Sequence, residues 1–260
     1  MNEALNIAIL QCDVHWEDSS KNRDQIEEYL ESLMDTDLIV LPEMFNTGFS
    51  VSSTHLAEIM DGPTVNWMKR IAKKHHSVLC GSLMIEENGF VYNRLVWVEP
   101  CGSIQHYDKR HLFKLIGEQK YFTPGTKRLL IDYKGWKICP LICYDLRFPV
   151  FSRNDVDYDL LLYVANWPNK RISAWDALLK SRAIENQSFV VGLNRVGVDG
   201  CKAHYSGHSQ IIDPEGSVVT MAPDNESGLL EFTLTKAPIL HVRNRLPFLS
   251  DRDDFNLKGS

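Results

Sequence analysis

The chain has 260 residues, of which 44% are hydrophobic, 24% charged and 10% aromatic. This apolar share is typical of a globular protein and excludes a disordered chain. Because 28 Lys and Arg stand against 34 Asp and Glu, the net charge is −6 and the sequence pI is near 5.8. Such a chain has no basic field for a nucleic-acid backbone, so we expect no nucleic-acid partner.

Hydropathy and cysteine usage indicate a protein of the cytoplasm. No apolar stretch reaches the ~18 residues that a membrane span requires, so we expect no membrane partner. The N-terminus carries no positive segment before its first apolar run, unlike a signal peptide. Six cysteines are scattered along the chain, at positions 12, 80, 101, 139, 143 and 201. This distribution predicts free thiols in a reducing compartment and not a disulfide framework.

Apolar runs with strand character recur along the whole chain. In chain order they cover residues 6–12, 37–41, 78–85, 90–98, 103–107, 127–133, 136–142, 159–165, 188–193, 209–212, 217–221 and 229–234. Short turn sequences join several neighbouring runs, at Asn88-Gly89, Cys101-Gly102, Lys134-Gly135 and Glu215-Gly216. These sequences favour tight turns and predict hairpins.

Helical patterns lie between these strands. Ile26, Tyr29, Leu30 and Leu33 form one apolar stripe, and further helices are predicted to begin near residues 63 and 173. About a dozen strands with four or so helices fit an α/β fold in which two sheets pack face to face with helices outside. No linker-like segment divides the chain, so we expect a single domain over residues 1–260.

Three polar residues, Glu43, Lys109 and Cys143, each stand at the end of an apolar run, where α/β sheets commonly present functional groups. A cysteine nucleophile needs a base for its proton, and a nearby ammonium stabilises a thiolate and a developing oxyanion. Taken singly, they also fit a solvated turn carboxylate, a surface lysine and a buried inert thiol. Together they predict nucleophilic catalysis by Cys143. Beside a lysine, we expect its thiolate form to be favoured over the neutral thiol.

Metal and cofactor sites have weaker support. The spacings Cys139-x₃-Cys143 and His204-x₃-His208 lack the two-residue cysteine spacing of a zinc site, and no further pair completes either. His106, His111 and His204 are interpreted as hydrogen-bonded loop or strand-end residues and not as catalysts. We therefore expect no metal and no cofactor.

Four local sequences resemble segments of the nitrilase (carbon–nitrogen hydrolase) superfamily, in that family's order. They are LPEMFNTG (41–48), YDKRHLF (107–113), GEQKYFTPG (117–125) and LICYDLRFP (141–149). NWP (166–168) and SRAIEN (181–186) are similar to the family's substrate-side loop and the helix after it. The similarity runs from about residue 6 to residue 234. One departure is Val150, where many amidase-like members carry Glu.

The resemblance implies a four-layer αββα sandwich and a role for each residue. Glu43 corresponds to the general base and Cys143 to the nucleophile that forms a thioester. Lys109 and the backbone N–H of Tyr144 correspond to the oxyanion donors, and Glu118 to the assisting second glutamate. The resemblance also implies a homodimer formed through the helix after the Cys143 loop and a C-terminal tail. We expect that tail, from about 235 to 260, to be extended.

The flanking sequences look most like the omega-amidase branch of the family. That branch hydrolyses the terminal amide of short 2-oxo dicarboxylic acid monoamides, such as 2-oxoglutaramate, and releases ammonia. We expect Arg171 to bind the substrate carboxylate, Trp167 to wall the pocket and Phe45 to contact the substrate, while Arg147 is interpreted as structural. The alternatives are an N-carbamoyl-amine or other aliphatic amide hydrolase, a nitrile hydrolase, which the flanks fit less well, and a non-catalytic nitrilase-like scaffold.

Overall fold

The computed structural model describes residues 4–255, which form two six-stranded sheets, a small hairpin and helices on both outer faces. The strands of the first sheet are β1 (Ala4–Gln11), β2 (Leu38–Val40), β3 (Val78–Glu87), β4 (Phe90–Val98), β5 (Ile104–Asp108) and β14 (Gly228–Thr235). They lie in the order β14-β1-β2-β3-β4-β5. β1, β2 and β3 are parallel, and β4 and β5 continue the sheet as antiparallel neighbours.

The second sheet carries a parallel centre of three strands. Its strands are β6 (Ile131–Tyr133), β7 (Trp136–Ile142), β8 (Leu160–Ala165), β9 (Phe189–Asn194), β12 (Gln210–Ile212) and β13 (Val218–Met221). They lie in the order β13-β12-β9-β8-β7-β6, with β7, β8 and β9 parallel. β10 (Val196–Val198) and β11 (His204–Ser206) form the separate hairpin.

The helices cover the outer faces of the sheets. They are α1 (Ser19–Leu30), α2 (Pro63–His75), α3 (Pro149–Ser152), α4 (Ile172–Asn186) and α5 (Ala237–Arg245). α1 and α2 pack on the first sheet through buried residues such as Ile26 and Met68. α4 packs on the second sheet so closely that a Cβ at Gly192 of β9 would lie 2.4 Å from the Leu179 side chain. Only glycine at this position allows the helix to approach the strand this closely.

Alternation along β1 separates the two sides of the first sheet. Ile7 and Ile9 point to the core shared with the second sheet, whereas Ala8 and Leu10 point to the core under α1 and α2. This is the period of two expected when both faces of a strand are covered. The layers therefore follow the order helix, sheet, sheet, helix, and the predicted αββα sandwich is confirmed.

The predicted strands and turns agree closely with the structure. Each predicted run overlaps a strand, and the runs 90–98 and 136–142 match β4 and β7 residue for residue. At the turn after β3, Asn88 and Gly89 both have positive φ, as a two-residue hairpin turn requires. The strands β10 and β11 were not predicted, because each has three residues and offers little periodicity.

The prediction of an extended tail is wrong for residues 237–245, which form α5. A proline in the first turn is compatible with a helix start, and Ile239 and Val242, one turn apart, are buried. The Arg243 guanidinium donates to the carbonyls of Tyr158 and Gln187 and ties the helix to the second sheet. Residues 256–260 of the predicted tail lie outside the described residues.

The topology brings several strand ends to one edge of the molecule. β2, β5, β7 and β8 all finish at this edge, so the residues that follow them lie close together. Across residues 4–255, no helix combines the length and the apolar character that crossing a membrane requires.

Candidate active site

Glu43, Lys109 and Cys143 meet at this edge, as their positions at strand ends predict. The side chains of Glu43 and Lys109 are completely buried, and Lys109 Nζ lies 2.9 Å from Glu43 Oε1. The Cys143 thiol donates to the Asn166 carbonyl oxygen at 3.8 Å and lies near enough to the Glu43 carboxylate for that group to raise the pKa of the thiol. Carboxylate, ammonium and thiol thus lie together at this edge, although they are far apart in the sequence.

Glu118 joins the same group of side chains. Its carboxylate is buried and lies 3.0 and 3.1 Å from Lys109 Nζ through its two oxygens. The backbone N–H of Phe113 also donates to it, which fixes the carboxylate within its own loop. We call Glu43, Lys109, Glu118 and Cys143 the buried cluster.

The Glu43 carboxylate is oriented by asparagines that the sequence analysis missed. Asn93 Nδ2 donates to Oε1 at 2.8 Å, and the backbone N–H of Asn166 donates to Oε2 at 2.8 Å. Asn166 Nδ2 also donates to the Glu43 carbonyl oxygen at 2.6 Å. The available signal for Asn93 was a polar residue inside the apolar strand β4, where a buried amide needs a polar partner.

The charges of the buried cluster decide the protonation state of the thiol. Burial lowers the pKa of Lys109, but the Glu118 and Glu43 carboxylates raise it by more than burial lowers it. The net shift is upward, so Lys109 stays an ammonium. Burial raises the pKa of Glu118, an effect that Lys109 opposes. Burial and the Glu43 carboxylate raise the pKa of the Cys143 thiol well above its usual range, against the pull of Lys109. The expectation of a favoured thiolate is therefore wrong, and the resting thiol is neutral.

Cys143 stands on a strained turn at the end of β7. Its φ is 45°, a left-handed value that is uncommon for a residue with a side chain. A short 3₁₀ helix, Cys143–Arg147, follows at once. Because Tyr144 is its second residue, the Tyr144 N–H has no partner within that helix and is free to donate beside the sulfur. Its role as an oxyanion donor stays a prediction.

A cavity of about 310 Å³ lies over the buried cluster. Cys143 and Lys109 reach it from below, and Trp167 and Arg171 line it, as predicted. Much of the rest of the lining is aromatic or aliphatic, from Trp16, Phe49, Val51, Phe113, Leu115, Ile116, Tyr144, Pro168 and Tyr205. An apolar cavity with few polar groups is typical of a site for a small molecule.

Cations on one wall of this cavity set it apart from an ordinary apolar pocket. Arg147, Lys170 and Arg171 line it, and we call them the cationic wall. The Arg147 guanidinium lies 4.7 Å from the Trp167 ring centroid, and that of Arg171 lies 5.2 Å from the Phe113 ring centroid. Among the described residues, neither guanidinium has a carboxylate or other hydrogen-bond acceptor. Arg147 was interpreted as structural, but its place in the lining makes it a candidate ligand group.

Phe45 is the predicted substrate contact that the structure places elsewhere. It is buried in the core under α2, where its ring lies 5.9 Å from that of Trp67. The turn after Glu43 points Phe45 toward the helices, and Phe49 lines the cavity instead, with its ring 4.9 Å from Lys109 Nζ. Both aromatic residues belong to the same short segment, so the sequence offered no signal to choose between them.

Within residues 4–255, no group of three or more His, Cys, Asp or Glu side chains is arranged so that it could hold a metal ion. The polar groups of the cavity are instead a thiol, an ammonium and guanidinium groups.

Comparisons with known proteins agree with this geometry. The carbon–nitrogen hydrolase family model matches residues 6–243. Omega-amidase YafV of Escherichia coli (strain K12) is 41% identical, over 97% of this chain and 98% of that protein. 2-Oxoglutaramate amidase of Bacillus subtilis (strain 168) is 34% identical, over 94% of this chain and 96% of that protein. A similar crystal structure is that of XC1258 from Xanthomonas campestris, a CN-hydrolase superfamily protein with an arsenic adduct in its active site. The two chains are 43% identical and superpose with a TM-score of 0.95, over 98% of this chain and 99% of that one.

Proposed function

Because the chain belongs to the carbon–nitrogen hydrolase family and is an amide hydrolase of its omega-amidase branch, we propose that it acts on small 2-oxo dicarboxylic acid monoamides. The products are the dicarboxylic acid and ammonia, and 2-oxoglutaramate and 2-oxosuccinamate are the proposed substrates. One observation carries the proposal: a thiol beside a buried carboxylate lines a small cavity, together with guanidinium groups that have no anionic partner among residues 4–255.

We propose that acylation begins from the neutral thiol. As the Cys143 sulfur attacks the amide carbon, Glu43 takes the thiol proton and the carbonyl oxygen gains the negative charge. Lys109 Nζ and the Tyr144 N–H stabilise this oxyanion, because both donors are fixed before the reaction starts. Glu43 then gives its proton to the departing nitrogen, which leaves as ammonia, and the acyl group remains on Cys143 as a thioester.

Deacylation uses the same residues in the reverse direction. Glu43 takes a proton from water, whose oxygen attacks the thioester carbon, and the same donors face the second oxyanion. The carbon–sulfur bond breaks, Glu43 gives the proton taken from water to the Cys143 sulfur, and the acid leaves. Glu118 holds the Lys109 ammonium in place through both steps, which is supported by its two contacts with Nζ.

The end of the substrate that does not react carries a carboxylate. We propose that Arg171 binds it, because a guanidinium can form two parallel hydrogen bonds to a carboxylate. Arg147 lies on the same cavity and is a second donor for the carboxylate or the 2-oxo group. Trp167 fixes this wall, since its indole N–H donates to the Arg171 carbonyl at 2.8 Å.

Ammonia release from a panel of compounds tests this function. The panel contains 2-oxoglutaramate, 2-oxosuccinamate, glutamine, asparagine, N-carbamoyl amines and aliphatic nitriles. We expect the highest kcat/KM for a 2-oxo acid monoamide. A preference for carbamoyl amines or nitriles would overturn the substrate assignment, and no turnover of any compound by folded protein would favour a non-catalytic scaffold.

We further propose that the protein works as a homodimer in the cytoplasm. Exposed apolar side chains on α4 and near the C-terminus, such as Ile184, Leu240 and Phe248, support an interface there. All six cysteines lie within the described residues and are free thiols, which is typical of a reducing compartment. Light scattering coupled to size-exclusion chromatography tests the dimer, and a monomeric mass at micromolar concentration would contradict it.

A further inference from the structure

We infer that Asp145 is a positioning residue that, through Tyr107 and His111, holds the segment of Lys109 against the turn of Cys143. This inference rests on the proposed function, since it concerns how the two reacting segments are kept in register. Asp145, Tyr107 and His111 contact none of the reacting atoms that the proposed mechanism uses.

The Asp145 carboxylate is completely buried, yet it is well supplied with donors. Oδ2 accepts from the Tyr107 hydroxyl at 2.7 Å and from the Ile142 N–H at 3.0 Å. Oδ1 accepts from the backbone N–H of His111 at 3.0 Å and lies 2.7 Å from His111 Nδ1. A buried carboxylate with so many donors is costly to remove or to neutralise, and such groups fix the elements that supply the donors.

The donors come from both sides of the site. Tyr107 and His111 lie two residues before and two residues after Lys109, on β5 and the loop that follows it. Ile142 and Asp145 lie on either side of Cys143, at the end of β7 and in the 3₁₀ helix. β5 belongs to the first sheet and β7 to the second, so one carboxylate joins the two sheets beside the proposed nucleophile and oxyanion donor.

The partners of Asp145 are themselves held in place. The His111 ring stacks on Phe148 with centroids 3.8 Å apart and planes 7° apart, and its edge meets Phe151. Burial and the Asp145 charge raise the pKa of Tyr107 well above its usual range, so its hydroxyl stays a donor. Because a carboxylate oxygen accepts hydrogen bonds, we assign His111 as the tautomer that carries its proton on Nδ1 and donates it to Asp145.

The contact also explains how the strained Cys143 conformation persists. A left-handed φ at a residue with a side chain is retained only where the surroundings fix it. Asp145 holds the residue before Cys143 through the Ile142 N–H and reaches the first sheet through Tyr107 and His111. Loosening it would let the sulfur move relative to Lys109, and displacements of about 1 Å can cost ~10²-fold in rate.

The experiment compares Tyr107→Phe with a matched hydroxyl deletion that makes no hydrogen bond to Asp145, Tyr158→Phe. Tyr158 is also buried, and its hydroxyl donates to the Ser152 carbonyl at 2.5 Å. We expect Tyr107→Phe to lower kcat by about tenfold. KM should change less than about twofold, because Arg171, which is proposed to bind the substrate carboxylate, is untouched. Tyr158→Phe should shift Tm by a similar amount and leave kcat unchanged.

A second pair of variants separates geometry from simple loss of packing. His111→Asn keeps an amide donor near the Nδ1 position and should retain most of kcat, whereas His111→Ala should lose at least about tenfold. Equal kcat in His111→Asn and His111→Ala, or equal kcat losses in Tyr107→Phe and Tyr158→Phe, would overturn the positioning role. An unmodified enzyme that releases no ammonia from any monoamide would instead refute the proposed function.

Discussion

The buried cluster and the cationic wall face the same cavity but differ in how they are held. Glu43 and Lys109 follow the ends of sheet strands, and Glu118 begins a short 3₁₀ helix. All three are excluded from solvent, and both carboxylates accept hydrogen bonds from Lys109. Arg147, Lys170 and Arg171 lie on turns, are partly or fully exposed and, among the described residues, have no anionic partner. Preorganised donors stabilise a transition state, and unpaired cations attract an anionic ligand. We therefore propose that the first region carries the chemistry and that the second selects the substrate.

The largest effect is expected at the proposed nucleophile. Cys143→Ala removes the atom that forms the thioester, so turnover should fall by at least ~10⁴-fold. Cys201→Ala is the matched control, because Cys201 lines the same cavity outside the buried cluster. Steady-state ammonia release measures both variants, and we expect near-normal kcat for the control. If the two variants lost activity equally, the assignment of Cys143 would be wrong.

The next effect concerns Lys109. Lys109→Arg keeps the charge, but a wide planar guanidinium does not fit the buried position between Glu43 and Glu118. We expect kcat to fall by ~10²- to 10³-fold, the scale for loss of an oxyanion donor. Lys120→Arg, on the same loop as Glu118 but exposed, should change kcat little. Near-normal turnover by folded Lys109→Arg protein would contradict the role of the ammonium.

Arg171 provides a smaller and more selective effect. Arg171→Ala should raise KM for 2-oxoglutaramate by about 10- to 100-fold, because a charged hydrogen bond to the carboxylate is lost. The KM for a neutral amide of equal length should hardly change, which separates a lost anchor from general damage. Arg147→Ala, measured on the same two compounds, shows whether the second guanidinium contributes. Equal losses for both compounds would mean that the cationic wall does not select the substrate.

The smallest effect is a change in pH dependence. Because burial and Glu43 raise the pKa of the Cys143 thiol, the thiolate should appear only well above pH 9, where an ordinary thiol titrates. Glu43→Gln removes the like charge, so this titration should move to lower pH. The ultraviolet absorbance of the thiolate, taken as the difference from matching Cys143→Ala proteins, measures it. A thiolate already present at neutral pH would contradict the neutral resting thiol and restore the expectation of a favoured thiolate.

Sequence reasoning reached the buried cluster but not the details of the wall. Glu43, Lys109 and Cys143 could be predicted because strand ends are visible in the hydropathy pattern and the surrounding motifs resemble those of a known family. The choice of Phe49 over Phe45, and the place of Arg147, depend on how short turns rotate. Short turns have no hydrophobic periodicity, so the sequence does not show which way their side chains point.

Two further differences have a physical origin in the folded state. The neutral Cys143 thiol results from burial and from the sum of nearby charges, which the order of residues does not contain. The helix α5 forms because Ile239 and Val242 find a core to bury against, whereas their short stretch has mixed polarity and no clear helical period.

The central claim is that amide hydrolysis proceeds through a thioester on Cys143. Rapid mixing with 2-oxoglutaramate, acid quenching within one turnover and mass spectrometry of the peptides test it directly. The account predicts an acyl adduct on the peptide that contains Cys143, formed together with the first ammonia and lost as the acid appears. Ammonia released within one turnover without any adduct, or an adduct on Cys201, would contradict it.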